Sequence, residues 1–322
     1  MKPKVFIDGE VGTTGLQIRA RLEGRTDIEF IRLDDKDRKD SKRREQALND
    51  CDLAILCLPD DAAREAVALV KNPRVKVLDA SSAHRVKPEW VYGLPEMAGE
   101  QPRRIAEAPR VSNPGCYPTG VVLLLRPLLQ NGLVPSNQPI SVQAVSGYTG
   151  GGKSLIEAFE NKTDPKQAPY SWYSLKLEHK HIEEMRLHSG LDQRPIFTPS
   201  YGRFRQGIVL QIPLALWSLP KSVSGAELHA ALAAAYRGSQ YVRVVSLDET
   251  SAIETLEPES LNGTNNVSLF VFANDRHRQA VLGAVFDNLG KGASGAAVQN
   301  INLMLDLSEL GRLDLSKRVA HA

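Results

Sequence analysis

The chain has 322 residues, 42% of them hydrophobic, and a formal net charge of +2. That length suits two modest domains, each burying its own core, and the near-balanced charge gives no electrostatic case for a nucleic acid or a membrane surface. Three cysteines, Cys51, Cys57 and Cys116, with no CxxC pair, argue against a disulfide framework and against a cysteine zinc site. A reducing, cytoplasmic setting is expected, since Met1-Lys2-Pro3-Lys4 leads straight into a strand and no apolar run approaches the roughly 20 residues of a membrane span.

Val5-Phe6-Ile7 reads as a strand, Gly9-Glu10-Val11-Gly12-Thr13-Thr14-Gly15 as a glycine turn, and Leu16–Leu22 as an amphipathic helix. This is the order a dinucleotide site requires: glycines admit backbone close to a pyrophosphate, and a helix N-terminus offers N–H donors. The spacing is GxxGxxG, not the commoner GxGxxG, and a plain strand–helix turn is the alternative. The next strand, Ile28–Leu33, ends in Asp34-Asp35 and a basic block. An acid there suits a free ribose 2′-hydroxyl and a nearby arginine suits a 2′-phosphate. The cations favour NADP, with Arg38 and Lys39 best placed, against the ordinary alternative of a solvated charge run.

Asp52–Pro59 is continuous in apolar residues, as a central parallel strand should be, and leads into a helix over 62–70; Cys57 is read as core. Val75–Asp79 is a further strand, ending in Ala80-Ser81-Ser82-Ala83-His84-Arg85. Strands alternating with helices predict a Rossmann-like, doubly wound parallel sheet, with ligands beyond the carboxyl ends of its strands.

Ser112-Asn113-Pro114-Gly115-Cys116-Tyr117-Pro118-Thr119-Gly120 precedes an apolar run, 121–125. Thr119 is expected to cap that run, placing Cys116 just before a helix N-terminus, where the dipole favours a thiolate. A buried structural cysteine is the plain alternative. SNPGCYPTG resembles the active-site signature of the N-acetyl-gamma-glutamyl-phosphate reductases (short type), relatives of aspartate-semialdehyde dehydrogenase. The resemblance extends over the motif Asp79-x-Ser-Ser-x-x-Arg85, Gly93-Leu94-Pro95-Glu96, His179-Lys180-His181-Ile182-Glu183-Glu184 and the small-residue stretch 287–303.

The second half reads differently. Pro139–Val145 alternates with period two, as a strand with one covered face. Gly147–Ser154 satisfies a P-loop expression, but its mid-chain context makes that a coincidence; the resemblance implies a mobile glycine-rich loop. Residues 162–176 read as loop, and Glu178–Met185 as the opening of a helix. Two histidines two apart do not share a helix face, so metal binding is unattractive. Strands are expected at Gly207–Pro213, Tyr241–Leu247 and Val267–Ala273, with a helix opened by the capping box Ser224-Gly225-Ala226-Glu227. Such runs predict an α+β domain on a largely antiparallel sheet. Arg203 and Arg205 are candidates for a substrate carboxylate or plain surface charges, and Asn262-Gly263-Thr264-Asn265 reads as a turn.

The resemblance implies a fold of the semialdehyde dehydrogenase type. Residues 1–115 with 289–322 would bind NADP and residues 116–288 would form the catalytic domain. It implies reduction of N-acetyl-L-glutamyl 5-phosphate to the 5-semialdehyde with release of phosphate, in a homo-oligomer (dimer or tetramer). Cys116 is then the nucleophile and His179 its acid/base partner. Arg85, Ser82, Asn113, Arg203, His181 and Glu184 surround the substrate. Gly9, Gly12, Thr13, Thr14, Gly15, Arg38, Lys39, Pro59, Ser81 and Asn288 surround the cofactor, with no metal. Glu183 stands where many family members carry proline. An aspartate-semialdehyde dehydrogenase-like enzyme and a nucleotide-sensing protein with a silent site remain the alternatives.

Overall fold

The computed structural model describes residues 2–34, 36–160 and 168–307. Asp35, Pro165 and the tail beyond residue 307, read above as part of the ribose site, a loop and the first domain, lie outside the described residues. The chain forms two compact units, one running to Pro114 and resuming at Ala293, the other covering Gly115–Gly292.

In the first unit the elements are β1 (Lys4–Asp8), α1 (Thr13–Leu22), β2 (Glu29–Ile31), α2 (Ser41–Asp50), β3 (Leu53–Leu56), α3 (Asp60–Leu69), β4 (Lys76–Asp79), β5 (Val91–Tyr92), α4 (Gln101–Glu107) and β6 (Arg110–Ser112). The second unit holds α5 (Cys116–Gln130), β7 (Ser141–Gly147), α6 (Lys153–Glu160), β8 (Tyr170–Trp172), α7 (Ile182–Ser189), β9 (Ile196–Gly202) and β10 (Ile208–Ala215). It continues through α8 (Gly225–Ala235), β11 (Val242–Val244), α9 (Leu247–Ser251), β12 (Val267–Asn274) and β13 (Gln279–Phe286), before α10 (Gly295–Met304) completes the first unit.

The first sheet is all parallel, in the order β2-β1-β3-β4-β6-β5. Its strand order reverses between β1 and β3, and the crevice at such a switch point is where doubly wound folds bind ligands. The glycine turn after β1 opens there. Ile18, Leu22, Ala297, Val298 and Ile301 pack on one face of the sheet, and Ala47, Leu48 and Ala66 on the other. Part of the basic block starts a helix: Asp40 accepts from the Lys42 and Arg43 N–H groups at 2.9 and 3.0 Å and caps α2.

The second sheet runs β11-β12-β13-β10-β7-β9-β8 and is mixed, parallel only at β11–β12 and β7–β9. Three expectations need correction. Strand β8 lies inside the stretch read as loop, because Tyr170–Trp172 pair with β9. The strand expected over 241–247 stops at Val244, since Ser246 caps α9 through a capping box with Glu249. The helix expected from Glu178 begins at Ile182, so both histidines precede it.

Helix α5 is buried along nearly its whole length against this sheet, with Val121 to Leu125 fully enclosed. Gly120 allows the approach: a Cβ there would sit 2.9 Å from the Phe286 ring. Pro127 lies inside the helix and has no N–H to give the Leu123 carbonyl. The Tyr236 hydroxyl, at the end of α8, donates to that carbonyl at 2.6 Å. Tyr236→Phe should therefore lower stability by about 1–3 kcal/mol, the cost of an unpaired buried carbonyl, read as a shift in urea midpoint. Adding Pro127→Ala, which restores a backbone donor, should recover a good part of that loss; no recovery would mean the proline is not the cause.

Candidate active site

The first unit builds a backbone cradle from glycine. Gly9 has φ +86°, left-handed backbone that favours glycine, and a Cβ on it would collide with the Cys57 carbonyl of the neighbouring strand. A Cβ on Gly15 would lie 2.5 Å from the Gly9 carbonyl oxygen. Gly12 caps α1 without any side-chain hydrogen bond, and no acid stands in the helix's first turn. The N–H groups at the start of α1, around Thr13, Thr14 and Gly15, therefore meet no capping side chain, which fits a dinucleotide pyrophosphate. Arg38 is drawn to this turn by an ion pair with Glu10 (2.9 Å), which Arg19 also meets at 3.2 Å; Lys39 is exposed. Pro59 caps α3 at the end of β3.

The turn after β4 is organised by Asp79, which is fully buried. Its carboxylate accepts from the Ser81 N–H (2.9 Å) and hydroxyl (2.7 Å) and meets His84 Nδ1 at 2.6 Å. The Ser82 hydroxyl donates to Asp60, and Arg85 donates to the Ala80 carbonyl at 3.0 Å. Asn113 is held at both ends of its amide, donating to the Ala293 carbonyl and accepting from Asn300, each at 3.0 Å. Ser81, Ser82 and Asn113 thus spend hydrogen-bonding capacity on the fold itself.

In the second unit Cys116 is the first residue of α5, not a residue before it. Gly115 occupies the cap position with no side-chain cap, and the Thr119 hydroxyl instead donates back to the Gly115 carbonyl at 2.9 Å. Thr119 is one turn too late to cap, because the helical turn already closes through Gly115. The Gly115 N–H is met by Glu184 Oε1 of α7 at 2.7 Å, a contact buried from water. Gly292 packs against Cys116, where a Cβ would come within 2.8 Å of the cysteine Cβ.

His179 and His181 stand edge to face, 4.7 Å between ring centroids, and both meet the ring of Tyr117. Phe197 and Tyr173 close around His179 at 5.2 and 5.9 Å. The His181 N–H donates to His179 Nδ1 at 3.1 Å. Burial pushes the phenols of Tyr117, Tyr173 and Tyr201 upwards, keeping them neutral donors and acceptors. Only Tyr117, inside the cysteine signature, had any signal in the sequence; Tyr173, Phe197 and Tyr201 come from strands and loops that show none.

Asn288 accepts from the Gly207 N–H at 2.7 Å and donates to the Thr149 hydroxyl at 3.1 Å. Its amide therefore ties the glycine-rich segment to the start of β10. The N–H groups of Gly147, Tyr148 and Thr149 go to the carbonyls of Gly207, Phe204 and Arg205, so they do not cradle a phosphate as a P-loop would. Arg203 is exposed, and Arg205 pairs with Glu160. Among the described residues no cluster of His, Cys, Asp or Glu could hold a metal ion.

Burial pushes the Cys51 and Cys57 thiols up to about 12. A raised thiol pKa leaves about one part in ten thousand as thiolate at pH 8, and only the thiolate alkylates. One equivalent of iodoacetamide at that pH should label Cys116 selectively, mapped by peptide mass spectrometry; equal labelling of Cys57 would contradict this ranking.

Residues 4–105 match the family described as semialdehyde dehydrogenase, NAD binding domain, and residues 116–288 match semialdehyde dehydrogenase, dimerisation domain. An N-acetyl-gamma-glutamyl-phosphate reductase of Burkholderia lata is 55% identical over 311 residues, covering 97% of this chain and 99% of that protein. N-acetyl-gamma-glutamyl-phosphate reductase 2 of Pseudomonas putida is 55% identical, and the reductase of Trichormus variabilis 52%, with 94% and 96% of this chain covered and 97% and 98% of theirs. Aspartate semialdehyde dehydrogenase II of Vibrio cholerae shares the fold, with a TM-score of 0.69 at 16% identity over 95% of this chain and 99% of that one. The aspartate semialdehyde dehydrogenase of Candida albicans, solved with NADP, superposes with a TM-score of 0.63 at 14% identity, over 95% of this chain and 100% of its own. No helix among the described residues is long and apolar enough to cross a membrane. With relatives this similar along almost its full length, the chain belongs to the N-acetyl-gamma-glutamyl-phosphate reductases.

Proposed function

We propose that the chain reduces N-acetyl-L-glutamyl 5-phosphate to N-acetyl-L-glutamate 5-semialdehyde with NADPH, releasing phosphate, as a step of arginine biosynthesis. The observation that carries the cysteine's part is Cys116 at the first turn of α5, beside a Gly115 N–H held by Glu184. In this reading the dinucleotide domain comprises residues 1–115 and 289–322, and residues 116–288 form the catalytic domain.

His179 takes the proton of the Cys116 thiol, and the thiolate attacks the acyl carbon. The C–O bond to phosphate breaks, the proton passes from His179 to the departing phosphate, and the acyl group stays on Cys116 as a thioester. Arg85 suits the phosphate because its planar fork matches the oxygens. NADPH, when bound, supplies the hydride. The glycine turn Gly9–Gly15 and Arg38 are the groups that would hold it. The thiohemiacetal oxyanion on Cys116 collapses to the aldehyde and returns the thiolate. Burial of Tyr117, His181 and Glu184 keeps the cysteine's turn fixed throughout.

The chain also self-associates in this reading, through the outer face of the second sheet. That face carries exposed Tyr170, Trp172 and Ile196, and a groove of about 310 Å³ lined by Tyr170, Trp172, Gln143, Thr198 and Gln211.

Mixing N-acetylglutamate semialdehyde, phosphate and NADP should give phosphate-dependent nicotinamide reduction, at least about a thousand-fold slower in Cys116→Ser. Comparable rates in the variant would remove the covalent mechanism. Trp172→Asp should shift the protein to a smaller assembly in size-exclusion chromatography with light scattering; an unchanged mass would place the interface elsewhere.

A further inference from the structure

His84 touches none of the groups given a chemical role above, yet it is buried, next in sequence to Arg85 and bonded to the most enclosed carboxylate of the first unit. We propose that His84 is a positioning residue for the phosphate subsite, locking the 79–85 turn so that the Arg85 guanidinium is presented in one orientation. This deepens the reading above and rests on it, since it takes Arg85 as the phosphate's partner.

The turn is closed at three places. His84 Nδ1 lies 2.6 Å from Asp79 Oδ2, tying the far end of the turn to its first residue. The Ser81 hydroxyl donates to the same carboxylate at 2.7 Å and accepts the Ala83 N–H at 3.1 Å. Arg85 donates to the Ala80 carbonyl at 3.0 Å. Asp79 also supplies its backbone carbonyl to the Asn113 N–H at 2.7 Å, so the same residue aligns the strand end that runs towards Cys116. A carboxylate with no exposure needs all its donors, and removing one leaves a desolvated acceptor that reorganises the turn around it.

The imidazole is fixed a second way, by its stack on Trp90 with ring centroids 4.2 Å apart and planes at 17°. Stack and hydrogen bond make different demands on the side chain, which allows them to be separated. His84→Phe keeps an aromatic ring against Trp90 and loses the N–H. His84→Asn loses the stack but places an N–H donor the same number of bonds from Cα as Nδ1.

The test is steady-state kinetics of the semialdehyde, phosphate and NADP reaction for wild type and both variants, with melting temperatures recorded in parallel. His84→Phe should raise the KM for phosphate about 10- to 100-fold, while the KM for NADP moves less than about threefold and kcat falls less than about tenfold. His84→Asn should recover most of the phosphate affinity despite its lost stack. Two results overturn the role of His84: an unchanged phosphate KM in His84→Phe, or parallel rises in both KM values tracking a lower melting temperature, as a merely structural side chain would give. Wild type without any phosphate-dependent reduction overturns the functional reading, and the role of His84 falls with it.

Discussion

The hydrogen bond from the Gly115 N–H to Glu184 joins positions 69 residues apart in the chain and sets the geometry at the cysteine. Helix α5 begins without a side-chain cap, so the N–H groups at its start get no acceptor from the cap residue. A carboxylate delivered from α7 meets one of those donors and brings with it the chain that precedes α7, which carries His179 and His181. The histidines therefore reach the Tyr117 ring because the helix after them is docked on the helix that starts at Cys116. Burial of α5 against the second sheet makes that docking rigid, through side chains that are each worth about 1.5–3 kcal/mol when fully enclosed.

The same device recurs. Asp79 gathers Ser81 and His84, and Asp287 accepts from Gln206 Nε2 (2.8 Å) and from the N–H groups of Gly263 and Leu289 (2.9 Å each). Both carboxylates are buried, and each spends its lone pairs on backbone or side-chain donors, those of one turn at Asp79 and those of separate segments at Asp287. Buried charges of this kind are costly unless every partner is present, so the loops they join are fixed together or not at all. Asn113, Ser81, Ser82 and Asn288 are likewise held, with side chains bonded to the protein itself.

Much of the first unit could be read from its residues. Continuous apolar strands such as 53–56 and the glycine turn after β1 have local signals, and the period of the pattern separates strand from helix. The short strands β5 and β8 escaped because two or three residues carry no period, and they are strands only by pairing with neighbours. Helix α2 was hidden by its charge: Ser41–Asp50 buries little more than Ala47 and Leu48, so composition announced a solvated run where Asp40 in fact caps a helix.

The residues by themselves determined the parallel fold of the first unit, the mainly antiparallel second one, and the cysteine signature, because backbone propensity, glycine spacing and hydrophobic period act over a few neighbouring positions. Only the tertiary structure decided where α5 begins, which donor completes Leu123 above Pro127, and which aromatic rings enclose His179. It also decided that His84 faces Asp79 and Trp90. These outcomes depend on groups dozens of residues apart, and burial selects among them by penalising any donor or acceptor left without a partner.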